Sequence, residues 1–375
     1  MQAEFLYVGT HRRAHHADLI DVAFGIYTFR KERHYGRLNY VDLTETPQPG
    51  WIVVHPSGQF LYVVNEVENF EEVEGGGVSA FAVDPETGSL SPLNSRRTSP
   101  FPCHCEVDAT GRYLLVATFG GGTVHLFPLG PDGHVGPEAD AHLHTGSSMH
   151  PRRQTRPHAH AVCIDPANHF VLVPDLGTDQ IIVYELAHDR GKLIARPERN
   201  VLLTPGSGPR HVAFNRQARF VYLMNEMNAS ITTFAYDENY GALQEIQTIE
   251  TLPEGFSGLR SGAELSIHPK GRFLYATTRS HGSSGEPAAR GLDAIVWFEI
   301  DKQSGMLYLR GRVPSGGEVP RTFTFDKNGD YLFVGHQCSG TVVTFRIDGL
   351  TGAPIATSEV AQIPVPVCLR YNTTN

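Results

Sequence analysis

The sequence carries histidine and glutamate side chains of the kind that move protons in enzymes, and two of the histidines are closely spaced. His158 and His160 lie two residues apart, so both rings point the same way if that segment is extended. Glu226 follows the apolar residues Leu223 and Met224, where partial dehydration would raise its pKa towards neutrality and suit it to proton transfer. These residue types indicate acid–base chemistry, with either His158 or Glu226 as the base.

Several arginines complement these groups. Arg210, Arg279 and Arg321 stay protonated at working pH, so they suit binding a carboxylate or phosphate and stabilising an oxyanion. Combined with the histidines and Glu226, they would promote the addition of water, or of an internal carboxylate, at a polarised carbon. This chemistry requires a fold that brings residues distant in sequence together.

A sequence motif that recurs along the chain predicts the strands of such a fold. Each copy has an apolar strand, a polar turn, a strand that begins with an aromatic residue, and then a third strand and another turn. The copies are WIVVHPSGQFLYVVNE from Trp51, HCEVDATGRYLLVATF from His104, AVCIDPANHFVLVPDL from Ala161, HVAFNRQARFVYLMNE from His211, ELSIHPKGRFLYATTR from Glu264 and TFTFDKNGDYLFVGHQ from Thr322. Their period, roughly 50 to 58 residues, is typical of a four-stranded propeller blade.

The two ends of the chain complete one further copy. Residues 5–9 match a second strand that has no first strand before it, and a third strand follows at residues 25–29. Residues 366–372 align with the first-strand segment 209–215. Pairing the two ends would remove the exposed edges of an open array. The sequence therefore predicts one all-β domain over residues 1–375, a seven-bladed β-propeller with four-stranded blades whose ring is closed by the N- and C-terminal strands.

The topology of a blade predicts which residues meet. The first strand starts at the face of the ring where the second strand ends, because neighbouring antiparallel strands run in opposite directions. Residues at these two places surround one mouth of the central channel, and polar side chains there indicate a binding site above an apolar barrel. From this placement we predict the catalytic residues His158, Glu226, Arg210 and Arg279 and the substrate-binding residues His160, Arg321, Glu66, Glu264 and His336.

Composition restricts the partners and the compartment. The formal charge of -9 would repel a phosphate backbone, so a nucleic-acid partner is not expected. The N-terminus lacks a basic segment followed by an apolar one, and no apolar run is long enough for a membrane helix. The 5 cysteines are odd in number and lack CxxC spacing, a pattern that favours free thiols over a disulfide framework or a zinc site. We expect a cytoplasmic protein without a membrane partner, and its oligomeric state stays open.

Metal binding is not expected either. No HExxH motif and no Asp-rich loop occurs in the sequence, and the candidate carboxylates are accompanied by arginines rather than by further metal ligands. We therefore predict an active site without a metal or another cofactor.

Short motifs in the chain resemble the bacterial lactonase family with a seven-bladed propeller. They are RPHAH at residues 156–160, PDLGTD at 174–179, GPRH at 208–211, NE at 225–226 and TLPEGF at 251–256. This family includes proteins named 6-phosphogluconolactonase and is similar to the fungal 3-carboxy-cis,cis-muconate lactonising enzyme. The resemblance covers essentially the whole chain. It implies a metal-free active site in the mouth of the channel, with His158, Arg210, Glu226 and Arg279 at the family's proposed site positions.

Two segments depart from the family pattern. An insertion follows His11 and continues to Phe24, and an extra loop runs from Ser283 to Gly291. Both follow a second strand, so both are expected on the active-site face. The substrate can therefore differ from the one best known in the family.

The leading functional hypothesis is a metal-independent lactonase, a carboxylic ester hydrolase that opens a sugar-acid lactone such as 6-phosphogluconolactone. Arginines would bind the anion while water attacks the lactone carbonyl. A second hypothesis is a 3-carboxy-cis,cis-muconate-type cycloisomerase, in which a substrate carboxylate adds to its own double bond. A third is a non-catalytic propeller that binds a protein partner. The predicted polar funnel favours an enzyme that acts on a small anionic lactone.

Overall fold

The protein is built from seven antiparallel sheets arranged as the blades of a propeller. The structure is a computed structural model that describes residues 4–12, 24–32, 35–280 and 292–372. The insertion between His11 and Phe24 is described only at its two ends, and the loop Ser283–Gly291 lies outside the described residues. Within the described ranges no helix is long and apolar enough to cross a membrane.

The first four blades follow one another along the chain. Blade 1 contains the strands Pro49–Val54, Phe60–Asn65, Gly76–Val83 and Leu90–Thr98. Blade 2 contains Pro102–Val107, Tyr113–Thr118, Thr123–Pro128 and Asp140–Leu143. Blade 3 contains Cys163–Ile164, Phe170–Asp175, Gln180–Ala187 and Lys192–Ala195, with Val201–Leu202 as a short extra strand. Blade 4 contains Pro209–Phe214, Phe220–Asn225, Ser230–Asp237 and Ala242–Glu250.

The remaining blades include one that joins the two ends of the chain. Blade 5 contains Gly262–Ile267, Phe273–Thr278, Ala294–Ile300 and Leu307–Pro314. Blade 6 contains Pro320–Phe325, Tyr331–His336, Thr341–Ile347 and Pro354–Gln362. Blade 7 contains Pro366–Tyr371, Phe5–Thr10, Gly25–Lys31 and Leu38–Glu45. A hairpin of Asn69–Phe70 with Val73–Glu74 and a 3-10 turn at Pro197–Arg199 complete the described elements.

The predicted ring closure is confirmed by blade 7. Its innermost strand comes from the C-terminus and pairs antiparallel with the N-terminal strand, Tyr7 lying opposite Arg370 and Val8 opposite Leu369. The innermost strands of blades 4, 5, 6, 7, 1 and 2 contact one another in that order around the axis, and blade 3 contacts the innermost strand of blade 4 through its second strand, Phe170–Asp175. The ring therefore has no open end, and residues far apart in sequence share its central channel.

The aromatic residue that starts each second strand packs against the next blade. Phe5 of blade 7 lies under the turn at Gly88 of blade 1, where a Cβ would come within 2.5 Å of the ring. Gly88 has φ 76°, a conformation that glycine adopts readily. The Tyr7 hydroxyl donates to the carbonyl of Gly88 at 3.0 Å, and Tyr222 donates to Gly305 in the same way between blades 4 and 5. The repeated aromatic–Gly pattern thus joins successive blades.

Candidate functional site

Arg210 owes its position to a bulge at the start of the innermost strand of blade 4. Its neighbours Pro209 and His211 pair with consecutive residues of the second strand, which leaves Arg210 itself unpaired. A bulge of this kind re-aims a side chain. Arg321 occupies the equivalent bulge in blade 6. The repeat therefore places these side chains at the mouth through a shared backbone irregularity.

Glu226 is the centre of the cluster at this mouth, and it is 1% exposed. Its Oε2 atom lies 2.6 Å from Nη1 of Arg210 and 2.7 Å from Nη2 of Arg279. Its Oε1 atom lies 2.6 Å from Nη2 of Arg153. Guanidinium groups from three segments of chain thus surround one carboxylate, and the cluster carries net positive charge within a protein of formal charge -9.

The expectation that the pKa of Glu226 is raised is wrong. Burial by itself would raise this pKa, but the guanidinium groups of Arg279, Arg153 and Arg210 outweigh burial and hold it well below its usual range. Glu226 is therefore a carboxylate at neutral pH whose two oxygens both accept charged donors. Its proton affinity is too low for an efficient general base.

His160 lies on the inner side of this cluster. Its Nε2 atom is 2.6 Å from Nη1 of Arg210, and because a guanidinium can only donate, Nε2 accepts. Burial and the charge of Arg210 lower the pKa of His160 well below its usual value, so the ring is neutral and carries its proton on Nδ1. Among the described residues Nδ1 has no hydrogen-bond partner although it is buried. This N–H is therefore a donor available to a bound water or a substrate oxygen.

His158 has the opposite tautomer. Its Nδ1 atom lies 2.7 Å from the carbonyl oxygen of Phe119 and donates to it, which leaves the lone pair on Nε2. The ring stacks on Phe119 at a centroid distance of 4.3 Å, and His160 contacts the same ring at 5.4 Å. Burial lowers the pKa of His158 below its usual value. A neutral imidazole with an unprotonated Nε2 can accept a proton from water.

Asp175 holds the segment that carries His158. One carboxylate oxygen accepts from the backbone N–H groups of His158 at 2.8 Å, Gly177 at 3.0 Å and Thr178 at 3.1 Å. The other accepts from Nδ1 of His144 at 2.7 Å. The buried carboxylate thus replaces part of the ladder of blade 3, whose innermost strand is reduced to Cys163–Ile164.

Arg153 is the residue of this cluster that repeat alignment did not identify. It belongs to the long loop before RPHAH, whereas the alignment compared only positions that occur in every copy. The signal that could have found it is the basic run at residues 152–156 immediately before His158. Its side chain is 16% exposed, against 4% for Arg279, so Arg153 is the more accessible of the two guanidinium groups.

Glu66 and Arg321 lie in a second group at the mouth. Nη2 of Arg321 is 3.8 Å from Oε2 of Glu66, and Nε2 of His11 is 3.5 Å from the same oxygen. The charge of Arg321 is close enough to contribute to lowering the pKa of Arg279. The structure thus places these predicted substrate-binding residues beside the Glu226 cluster.

Two predicted binding residues lie apart from it. Glu264 lies deeper in the channel and accepts from Nδ1 of His211 at 3.0 Å. His336 is fully buried within blade 6. Its Nδ1 lies 3.3 Å from the Thr341 hydroxyl, and Gly317 covers its ring. The alignment placed both residues one position away from the mouth positions. Because successive side chains of a strand point to opposite faces, a residue one position away does not face the mouth.

The donor set of the mouth suits an anion better than a metal ion. In the ranges that the structure describes, no three His, Cys, Asp or Glu side chains converge so as to hold a metal. Guanidinium groups occupy both oxygens of Glu226. The residues present are therefore those that recognise carboxylates and phosphates.

Comparison with known proteins agrees with this geometry. The family model described as lactonase, 7-bladed beta-propeller, matches residues 5–371. The chain belongs to this lactonase family. The 6-phosphogluconolactonase of Bacillus subtilis strain 168 is 30% identical over 350 residues, covering 92% of this chain and 94% of the relative. The 6-phosphogluconolactonase of Pectobacterium carotovorum strain PC1 is 30% identical over 330 residues, covering 88% and 89% of the two chains.

A solved structure extends the match to three dimensions. The periplasmic gluconolactonase of Pseudomonas aeruginosa superposes with a TM-score of 0.89 at 28% identity, over 100% of both chains. The predicted lactonase family and fold are thus confirmed, and the names of these relatives favour a hydrolase over a cycloisomerase or a scaffold. The compartment is not decided by family membership, because this relative is periplasmic.

Proposed function

We propose that this protein hydrolyses a sugar-acid lactone, with 6-phosphogluconolactone as the first substrate to test. The observation that carries the proposal is a buried carboxylate held by three guanidinium groups at 2.6 to 2.7 Å beside the neutral imidazole of His158. Such a site attracts an anionic substrate and places fixed positive charge where an oxyanion develops. The names of the bacterial relatives support the same substrate class.

His158 is the base in this proposal. Its Nε2 atom takes a proton from water while the water oxygen attacks the lactone carbonyl carbon. The carbonyl oxygen becomes an oxyanion that the guanidinium groups stabilise. The bond from that carbon to the ring oxygen then breaks, and the ring oxygen takes the proton back from Nε2. The products are a carboxylic acid and a free hydroxyl group, and the acid releases its proton to solvent.

In this proposal Glu226 positions the arginines and does not transfer the proton. Arg210 and Arg279 are buried, and like charges so close together repel each other unless an anion lies between them. The Glu226 carboxylate fixes both groups in place before substrate arrives. Arg279 also donates from Nε to the Ser261 hydroxyl at 3.0 Å. This preorganisation avoids reordering the charges during the reaction.

A screen of sugar lactones with a pH indicator tests the activity, since ring opening releases a proton. Gluconolactone and its 6-phosphate would be compared, each with spontaneous hydrolysis subtracted and each with and without EDTA. We expect catalysed opening that EDTA leaves unchanged. Loss of activity in EDTA would contradict the metal-independent part of the proposal. Consumption of a carboxymuconate diene, with no lactone opened, would select the cycloisomerase instead.

Substitution of His158 by Gln tests the role of the base. We expect kcat to fall about 10²- to 10⁴-fold, the usual contribution of general base catalysis, with little change in KM because Gln keeps a polar side chain of similar reach. His134→Gln is the matched control, because His134 is 46% exposed at a distant turn. Full activity in His158→Gln would assign the base elsewhere.

The cytoplasmic location also stays a proposal. No disulfide joins cysteines in the described part of the chain, a pattern common in reducing compartments. Fractionation of the native host, with immunodetection of the untagged protein, distinguishes the cytoplasm from the periplasm.

A further inference from the structure

The innermost strands line a second part of the channel below the mouth. Equivalent repeat positions form layers across the axis, and Arg210 and Arg321 belong to the mouth layer. The layer three residues further along each strand consists of Val53, Glu106, Cys163, Ala213, Ser266, Thr324 and Arg370. We call it the exit layer. At a rise of about 3.3 Å per residue, it lies about 10 Å from the mouth layer.

Three rings separate the two layers. Trp51, His104 and His211 contact one another, with centroid distances of 4.2 Å, 5.0 Å and 5.7 Å. His211 in turn lies 5.4 Å from His160 of the active-site cluster. Trp51 and His211 are buried. These rings lie between the active-site cluster and a second space, whose lining includes none of the mouth residues.

That space is a cavity of about 310 Å³ whose lining includes the whole exit layer. The seven exit-layer residues are all partly exposed, whereas Trp51, His211 and Glu264 above them are buried. Most exit-layer side chains are small, which leaves the axis open. The volume is at the lower end of the range of small-molecule sites. We call this cavity the axial chamber.

Arg370 gives the axial chamber a fixed cation. Its Nε donates to the carbonyl of Ile52 at 3.0 Å and its Nη1 to that of Leu369 at 3.2 Å. Its guanidinium carbon lies 3.8 Å from the centroid of the Trp51 ring. These contacts use two of the five N–H groups of a guanidinium. The others can bind a carboxylate, and stacking on Trp51 limits the movement of the group.

Glu106 and two hydroxyl groups supply the other polar side chains of the exit layer. Glu106 accepts from the backbone N–H of Ile164 at 3.0 Å. Burial raises the pKa of Glu106 to about 8, so near neutral pH its carboxyl group is largely protonated and can both donate and accept. Ser266 and Thr324 bring hydroxyl groups to the same layer. A layer that served only to pack would carry Val or Leu.

We propose that the axial chamber is a second ligand site, distinct from the mouth, that binds a small hydroxycarboxylate. The carboxylate would pair with Arg370, and the hydroxyl groups of the ligand would bond to Glu106, Ser266 and Thr324. One cation matches one carboxylate, whereas a phosphate dianion would find no second arginine in the lining. This inference does not depend on which lactone the mouth hydrolyses.

Trp51 provides a direct readout of this site. The chain has 2 tryptophans, and Trp297 lies in blade 5, so Trp297→Phe leaves Trp51 as the sole reporter. We expect gluconate to change its fluorescence in a saturable way in the millimolar range. Ser266→Leu, which fills the axial chamber, should weaken this titration at least tenfold, while lactone hydrolysis stays unchanged. Arg370→Met should abolish it, and Ser266→Leu keeps the test valid if Arg370→Met fails to fold.

A variant of the mouth completes the experiment. Arg279→Met should leave the fluorescence titration unchanged while lactone hydrolysis falls. Three outcomes would overturn the proposal: no saturable change with gluconate, a titration that Ser266→Leu leaves unaltered, or a titration that Arg279→Met abolishes. Because binding is measured without turnover, failure of the axial site is distinguished from failure of the lactonase assignment.

Discussion

At the scale of single residues, the ionisation states of the mouth follow from which charges surround each group. Glu226 and His158 are both buried, yet Glu226 is a carboxylate and His158 is neutral. Arginines compensate the charge on Glu226, whereas burial dominates at His158. Glu226 is therefore a fixed anion, and in the proposed mechanism His158 takes the proton-transfer role.

The pH dependence of lactone hydrolysis should reflect two of these groups. The pKa of His158 lies below its ordinary value of 6.5, so the acid limb of kcat/KM should fall below that pH. Burial lowers the pKa of Arg279 to about 9, so activity should decline as the pH rises through about 9 and the guanidinium loses its charge. Rates corrected for spontaneous hydrolysis would show a plateau between these limits. An alkaline limb that Arg279→Lys leaves unmoved would contradict its assignment to Arg279.

Glu226 should also govern part of the acid stability. Its pKa in the folded protein lies below the unfolded value of about 4.5, so its stabilisation is complete above that pH and is lost as the pH falls through the lowered folded value. Glu226→Gln should reduce the free energy of unfolding at pH 7 by about 3 to 5 kcal/mol, because the arginines lose their anion. Urea unfolding at several pH values measures both effects.

The matched control for this variant is Glu198→Gln, a side chain that is 61% exposed. It should change stability by no more than about 0.5 kcal/mol. If the two variants had equal stability at every pH, the buried carboxylate would not have the structural role assigned to it.

At the scale of elements, the mouth depends on tight backbone contacts where strands end. The backbone N–H of Glu226 donates to the carbonyl oxygen of Gly208, and the carbonyl oxygen of Glu226 accepts from the N–H of Gly262. The segment that carries His158 is held by the Asp175 carboxylate instead of a strand ladder. Glu226 and Arg279 directly follow strands, and His158 lies in a segment held by a buried carboxylate, so each is positioned by the blade framework, which favours precise placement.

Gly177→Ala should disturb this arrangement selectively. A Cβ at Gly177 would lie 1.9 Å from the carbonyl oxygen of Arg156 and 2.8 Å from the backbone nitrogen of His158. The segment with His158 would have to move, and a displacement of about 1 Å can cost about 10²-fold in kcat. Gly349→Ala is the control, since nothing lies within 4 Å of its Cβ position. Wild-type kcat in Gly177→Ala would show that His158 does not need this backbone position.

At the scale of the whole molecule, closure of the ring determines both stability and function. The C-terminal strand supplies Arg370 and Leu369 to the innermost position of blade 7, and it contacts the inner strands of blades 1 and 6. Loss of this strand would open the ring and expose two sheet edges. The mouth and the axial chamber both require the closed ring, because each draws residues from several blades.

Leu369→Ala measures the contribution of that closing strand. Leu369 is fully buried with Val8 and Phe333 in one core cluster, so its truncation should lower the free energy of unfolding by about 2 to 5 kcal/mol. Leu350→Ala, at a position 76% exposed, should change it by no more than about 0.5 kcal/mol. Equal urea midpoints for the two variants would show that the closing strand contributes little.

Repetition in the sequence predicted the blades, the closure of the ring and the mouth positions of Glu226, Arg210 and Arg279. These features depend on the alternation of apolar and polar residues within strands and on one motif that recurs along the chain. Both can be read from the sequence alone. The sequence also placed Arg370 on the innermost strand, by aligning the C-terminal segment with an earlier copy.

Only the tertiary structure decided the chemistry of the individual groups. The recruitment of Arg153, the lowered pKa of Glu226, the tautomer of His158 and the enclosure of His336 each depend on neighbours from other segments of chain. A pKa is a sum over burial, charges and hydrogen bonds in space. Sequence periodicity specifies which residues approach the axis, but not the distances between atoms that determine that sum.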